Sequence, residues 1–231
     1  MPFVATILTL FPEAFPGLLG HSVVGRALEK GLWSLNVRNI RDVATDKHRT
    51  VDDTPYGGGA GMLMRPDIVA SAIRNAKAEL GTEAHVVFMG PVGQRLTQAT
   101  AQRLANLDKP LIILCGHYEG VDERALEAEV DETISLGDFV LSGGEGAAMV
   151  VLDATVRLLP GVLGAQASLH EESFELRDPA TGEALLEYPH YTRPAVWEGR
   201  EVPAVLQNGN HAEIAKWRLE QARARTKKVR S

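Results

Sequence analysis

The chain has 231 residues, 45% of them hydrophobic and 23% charged, which suits one large soluble domain or one domain with a small appendage. Its single cysteine, Cys115, excludes a disulfide framework and a cysteine-based zinc site and fits a reducing, cytoplasmic setting. No stretch approaches about 18 uninterrupted apolar residues, so no membrane span is expected, and a net charge of −6 by itself argues against nucleic acid. The N-terminus is apolar but lacks a basic flank, so it reads as fold rather than leader. Residues 4–11 form an apolar run expected to be a buried strand. Residues 16–30 carry helical spacing through Leu18, Leu19, Val23, Val24 and Leu28, with Gly31 as the stop. Residues 34–40 alternate as a strand should, Leu35 and Val37 against Asn36 and Arg38.

The pattern then lapses. Residues 41–61 are polar and end glycine-rich, and a stretch of that length without an element signals function or disorder. Pro66 and Asp67 open a helix that Gly81 closes. Strands are expected over 85–90, 110–116 and 133–136, and helices over 96–107, 121–130 and 147–159. Apolar strands alternating with helices mean an α/β fold with a mostly parallel sheet covered on both faces. Residues 165–187 are weakly patterned and read as a mobile linker. The sequence from Tyr188 to Pro194 is too proline-rich for a helix. Asn210 with Glu213 resembles a capping box, opening a helix that runs to about Arg225.

Charge is distributed unevenly. Residues 216–231 hold seven basic side chains against Glu220, a local +6, which leaves −12 on the other 215 residues. Such a tail can neutralise phosphates or can be a solvated helix end. Neither the dinucleotide fingerprint nor the P-loop occurs. What does occur is a set of expected strands ending on Gly90, Gly116 and Gly137, with Gly143 and Gly144 just before a long apolar helix. Each glycine alone could be turn punctuation. Together they place close-approach backbone at strand ends, where open α/β sheets bind ligands.

Longer motifs carry a resemblance. RTVDDTPYGGG at 49–59, GHYEGVDER at 116–124, SLGDFVLSGGEG at 135–146, PGVLG at 160–164, HYTRP at 190–194 and GNH at 209–211 stand in one order. The chain resembles the bacterial tRNA (guanine-N1)-methyltransferases of the TrmD family, in the SPOUT superfamily, over residues 3–226. The resemblance implies a first domain (1–164) with a deep trefoil knot, a flexible linker (165–187) and a small α-helical tRNA-binding domain (188–231). It implies a cytoplasmic homodimer acting on tRNA, with no DNA and no membrane partner. S-adenosylmethionine is the implied methyl donor. One set of its expected contacts is Phe88, Met89, Gly90 and Pro91, and a second is Gly116, Tyr118, Glu119, Gly120 and Val121. The third comprises Ser135, Leu136, Gly137, Asp138, Phe139, Val140 and Leu141, followed by Gly143 and Gly144. Glu119 would face the donor's cationic end. A Mg2+ requirement is also implied, with no residue assigned to hold the ion.

The reaction itself demands two groups. Guanine N1 carries a proton and attacks poorly until that proton leaves, so a general base is needed, and charge developing on the purine, largely at O6, needs a cation. The family's base is an aspartate before Ser-Phe. This chain has Glu172 there, one methylene longer, with Glu171 as the alternative. Arg157 matches the family's catalytic arginine. The resemblance assigns RNA contact to Arg41, His48, Arg49, Asp52, Asp53, Gly58 and Gly59, and to Arg193 farther on. The basic tail adds Lys216 and Arg223. His190 and Tyr191 could dock the last domain or touch RNA. Ala147 stands where members often have proline, residues 177–182 lengthen the linker, and the C-terminus is short. Two competing readings are a non-catalytic RNA-binding protein on the same scaffold and a relative acting on ribosomal RNA or a ribose 2′-hydroxyl.

Overall fold

A computed structural model describes residues 2–163 and 172–230. The chain divides into two compact units, Met1–Leu163 and Gly164–Ser231. In chain order the first unit contains β1 (Phe3–Thr9), α1 (Ser22–Glu29), β2 (Trp33–Asn39), β3 (Asp52–Asp53), β4 (Leu63–Met64), α2 (Pro66–Leu80) and β5 (His85–Arg95). It continues with α3 (Gln98–Ala105), β6 (Leu111–Cys115), α4 (Glu123–Glu129), β7 (Glu132–Ser135) and α5 (Glu145–Val156). Five strands form one sheet in the order β2-β1-β6-β5-β7, and every neighbouring pair is parallel.

β6 explains why the expected strands read as unbroken apolar runs. All five of its residues are buried. Leu111, Ile113 and Cys115 face one apolar cluster, which α5 fills with Ala148, Val151, Leu152 and Val156. Ile112 and Leu114 face the other, which α2 fills with Ile68, Val69, Ala72 and Ile73. Successive side chains point to opposite faces, so a strand covered on both sides must be apolar throughout. Each large side chain so buried contributes roughly 1.5–3 kcal/mol.

Local signals set the helix ends. Gly81 closes α2 in the left-handed region at φ 65°, its N–H bonded to the Lys77 carbonyl at 3.2 Å. Thr97 caps α3 and Asp122 caps α4 through side-chain oxygens. Some expectations shift. The helix expected over 16–30 breaks into a 3-10 turn, Gly17–Gly20, and α1. β5 runs beyond Gly90 to Arg95. The loop expected to lack elements holds the antiparallel pair β3–β4.

The second unit has β8 (Val196–Trp197) and β9 (Arg200–Glu201), a small antiparallel hairpin, and α6 (His211–Arg230). Its buried apolar cluster is Leu185, Tyr188 and Ala222, with Leu176 and Leu219 packed against it. The expected linker covered 165–187, and residues 164–171 lie outside the described ones. Residues 172–187 differ from a linker: Arg177 bridges to Ala184, Phe174 and Leu185 pair through the backbone, and Leu185 is buried. α6 also runs past Arg225, to Arg230. Asn210 Oδ1 accepts from the Glu213 N–H at 3.4 Å, but the Glu213 carboxylate accepts from the Asn208 side chain rather than closing the box.

Candidate active site

The middle of β5, from Phe88 to Pro91, and the carboxyl ends of β6 and β7 surround a cleft. β5 shapes its first wall. Met89 and Gln94 both pair with Ile134, so residues 90–93 loop out of the sheet between them. Gly93 lies so close to Thr133 that a Cβ would stand 2.4 Å from its carbonyl carbon. The Phe88 ring fills the space that Gly90 and Gly116 leave open, with added Cβ atoms 2.7 and 2.8 Å from it. These two glycines therefore serve the packing of Phe88 as well as any ligand.

The loop after β6 forms the second wall and is stitched to β4. Glu119 N–H donates to the Met62 carbonyl at 2.9 Å, Met64 N–H to Gly120 at 2.9 Å, and Asp122 N–H to Met64 at 3.1 Å. Tyr118 takes a left-handed backbone at φ 60°, an unfavourable conformation for a tyrosine that the surrounding bonds hold in place. Its hydroxyl accepts from the Arg41 guanidinium at 3.2 Å, and the same guanidinium donates to the Arg49 carbonyl. The polar loop thus begins and ends against the cleft's rim.

The third wall follows β7. The Ser135 hydroxyl turns the chain by bonding the N–H and carbonyl of Gly137. Gly144 then approaches the end of β6, its N–H bonded to the Gly116 carbonyl at 3.0 Å, with no room for a Cβ beside Cys115 Cα. Ile134, Leu136, Leu141 and Ala147 give apolar surface, and Glu119 gives a carboxylate.

Of the residues expected to touch the donor, Phe88, Met89, Gly90, Pro91, Gly116, Tyr118, Glu119 and Gly120 line the cleft, as do Ser135, Leu136, Phe139, Val140, Leu141, Gly143 and Gly144. Three expected residues do not. Val121 is buried in the core and bridges to Met64. Gly137 forms the Ser135 turn, and Asp138 points outward to Arg95 at 2.6 Å. His117, Ile134, Ser142 and Ala147 line the cleft too. All four sit inside or beside the motifs already noted, so spacing placed them near the site without assigning them to it.

Arg49 pairs with Asp42 at 3.4 Å, His48 and Thr50 hang on Asp46, and Asp52 and Asp53 form β3. Gly58 and Gly59 have open space around them or only Pro55 nearby. Arg193 and Lys216 are exposed in the second unit. Arg223 is already committed: it grips Asp178 with two bonds of 2.7 Å. Tyr191 packs near Trp217, and His190 bonds Glu187.

Arg157 caps the end of α5 in the first unit, its N–H bonded to Asp153. Glu172 opens a turn in the second unit, its carbonyl accepting from Glu175 and Leu176. Glu171 lies outside the described residues. Among the described residues no group of three or more histidine, cysteine or acidic side chains could hold a metal, and no helix is long and apolar enough to cross a membrane.

A cleft across a parallel sheet, with apolar walls, backbone polar groups and one carboxylate, defines an α/β protein with a small-molecule-sized cleft in the position where open α/β sheets bind ligands. The chain belongs to the tRNA (guanine-1)-methyltransferase TrmD family, whose family model matches residues 3–231. It is 56% identical to a tRNA (guanine-N(1)-)-methyltransferase of Mesorhizobium japonicum, over all of this chain and 95% of the relative. Proteins of the same name from Bartonella bacilliformis (54% identity, 94% of the relative) and Agrobacterium fabrum (53%, 95%) also match all of this chain.

Proposed function

We propose that the protein transfers a methyl group from S-adenosylmethionine to N1 of the tRNA guanosine immediately 3′ of the anticodon, giving 1-methylguanosine. The observation that carries this reading is the full-length family match joined to a cleft of suitable chemistry. Ile134, Leu136 and Leu141 suit a purine face, and Glu119 suits a sulfonium or ammonium charge. When bound, S-adenosylmethionine supplies an already activated methyl group. Glu172 then takes the guanine N1 proton, and Arg157 offsets the negative charge on the purine. Arg41, Arg49 and the basic face of α6 hold the RNA backbone.

Three further parts of the reading have support of their own. A SPOUT-type trefoil knot agrees with the way the chain leaves edge strand β7 and returns to the end of β6, past the 90–93 excursion. A homodimer agrees with α5, which is mostly apolar yet leaves Val150 47% exposed, with Leu18 and Phe11 also exposed. A tRNA-binding role for the second unit agrees with Arg193 and Lys216, both exposed there.

The test is a methylation assay with labelled S-adenosylmethionine and a tRNA bearing guanosine 3′ of the anticodon. The expected product is 1-methylguanosine at that position alone. Label in a ribose, or in ribosomal RNA only, overturns the assignment.

A further inference from the structure

We infer that His117 and Glu145 form a latch that positions the two loops of the methyl-donor cleft, and so sets affinity for S-adenosylmethionine. The inference rests on the reading that the donor binds in this cleft.

The latch begins as a backbone contact. Gly144 N–H donates to the Gly116 carbonyl at 3.0 Å, joining the loop after β6 to the loop before α5. One residue farther along each loop, His117 Nε2 lies 2.9 Å from both carboxylate oxygens of Glu145. The two side chains are 16% and 13% exposed, so solvent screens the contact little. A main-chain rung and a side-chain rung therefore close the same gap. Both loops supply cleft-lining residues: Gly116, His117 and Tyr118 from one, Leu141, Gly143 and Gly144 from the other.

The partners are held from outside as well. The Thr9 hydroxyl, fully buried at the end of β1, donates to Glu145, and Thr9 Oγ1 accepts from the Phe11 N–H at 2.9 Å. The Phe11 ring packs against the imidazole with centroids 4.9 Å apart. On its other side the imidazole occupies the space beside Gly143, where a Cβ would stand 2.3 Å from His117 Cε1. Glu145 is also the first residue of α5, where the helix dipole favours a negative charge. A nearly buried carboxylate costs free energy unless donors surround it, and here histidine, threonine and a helix N-terminus all do. Cys115, packed at the same junction, takes no part: burial first, then the charge of Glu145, pushes its thiol well up, and it stays neutral.

Glu145, which does not line the cleft, is a positioning residue that acts through the cleft-lining His117. A pair that only stabilises the fold would move the unfolding midpoint and leave ligand binding by the folded protein unchanged. A latch changes the shape of the cleft, so it changes donor binding while leaving tRNA binding alone.

The experiment compares wild type, Glu145→Gln, His117→Asn and the double variant, all full-length. Donor Kd is read by calorimetry, and KM for each substrate and kcat are read by steady-state assay. The expected result is about a tenfold weaker Kd and higher KM for S-adenosylmethionine in each single variant, with KM for tRNA unchanged. The double variant should lose no more than the worse single, since either change opens the same latch. Folded single variants that bind the donor like wild type overturn the inference, and so does a double variant whose loss is the product of the two single losses. If Glu145→Gln does not fold, Thr9→Val carries the test: it removes one donor to Glu145 from outside the cleft, and an unchanged donor Kd is equally fatal. Wild-type protein that binds no S-adenosylmethionine overturns the underlying reading instead.

Discussion

In the first unit a central strand is buried from end to end and each face of the sheet carries its own apolar cluster. Among the described residues of the second unit the buried apolar cluster is Leu185, Tyr188 and Ala222, and polar clips do much of the holding. Arg223 grips Asp178 through two bonds, Thr226 Oγ1 accepts from Leu186 N–H, Arg225 donates to the Glu187 carbonyl, and Arg218 lies over the Tyr188 ring at 4.7 Å. Apolar burial carries no titrating group, whereas charge-assisted bonds respond to pH and are screened by salt. The unit with the cleft is held mainly by burial, and the unit carrying Glu172 is held in part by the Arg223–Asp178 ion pair.

The sharpest way to separate the two roles is Glu172→Gln. Methyl transfer in single turnover should fall by about 10²–10⁴-fold, the usual worth of a general base, with donor Kd unchanged. Normal turnover removes Glu172 from the mechanism. Next is Gly144→Ala, which drives a Cβ to 2.7 Å from Cys115 Cα, a backbone atom that cannot swing away. Urea unfolding followed in the first unit should show a loss of about 1–3 kcal/mol, the range for overpacking; an unchanged midpoint would mean the loops part easily.

Acid should act on the second unit through Asp178. Its hydrogen bonds to Arg223, then to the Ala180 N–H, hold its carboxyl at about 2, below the ordinary 3.8. A lowered folded pKa gives stability that is complete above about pH 4 and lost as pH falls through about 2. Helicity of α6 should therefore weaken over that window in wild type, and Asp178→Asn should start weaker and flatten the dependence there. An identical acid limb in the variant would assign the transition to other groups. The smallest effect is expected at Trp197, 56% exposed on the β8–β9 hairpin with the Arg200 guanidinium 5.6 Å from its ring centroid. Trp197→Ala should shift thermal stability by no more than about 0.5 kcal/mol, as for other surface positions. A larger loss would show that the hairpin is a packed part of its unit.

The same contrast governs what the sequence revealed. Strands such as β6, apolar because both faces are covered, stood out as continuous runs, and Gly81 marked a helix end. The cleft was legible because glycines and motifs cluster at strand ends. Asp138 and Val121 were misplaced because one-residue alternation at a loop decides whether a side chain faces the cleft, Arg95 or the core. Residues 172–187 resembled a linker because their order comes from a bridge, buried Leu185 and long-range polar bonds, none of which leaves a periodic trace. His117 and Glu145 lie 28 residues apart, and no local pattern pairs them.

β6 lies between β1 and β5, yet it follows both in the chain. During synthesis its two neighbours emerge first and have no partner on that side until Cys115 has left the ribosome. The β1–β6 and β5–β6 pairings cannot form before then, and each neighbour keeps one unpaired edge until β6 is available. Such an order makes the unit a slow folder with non-local contacts, exposed to aggregation until its middle strand arrives.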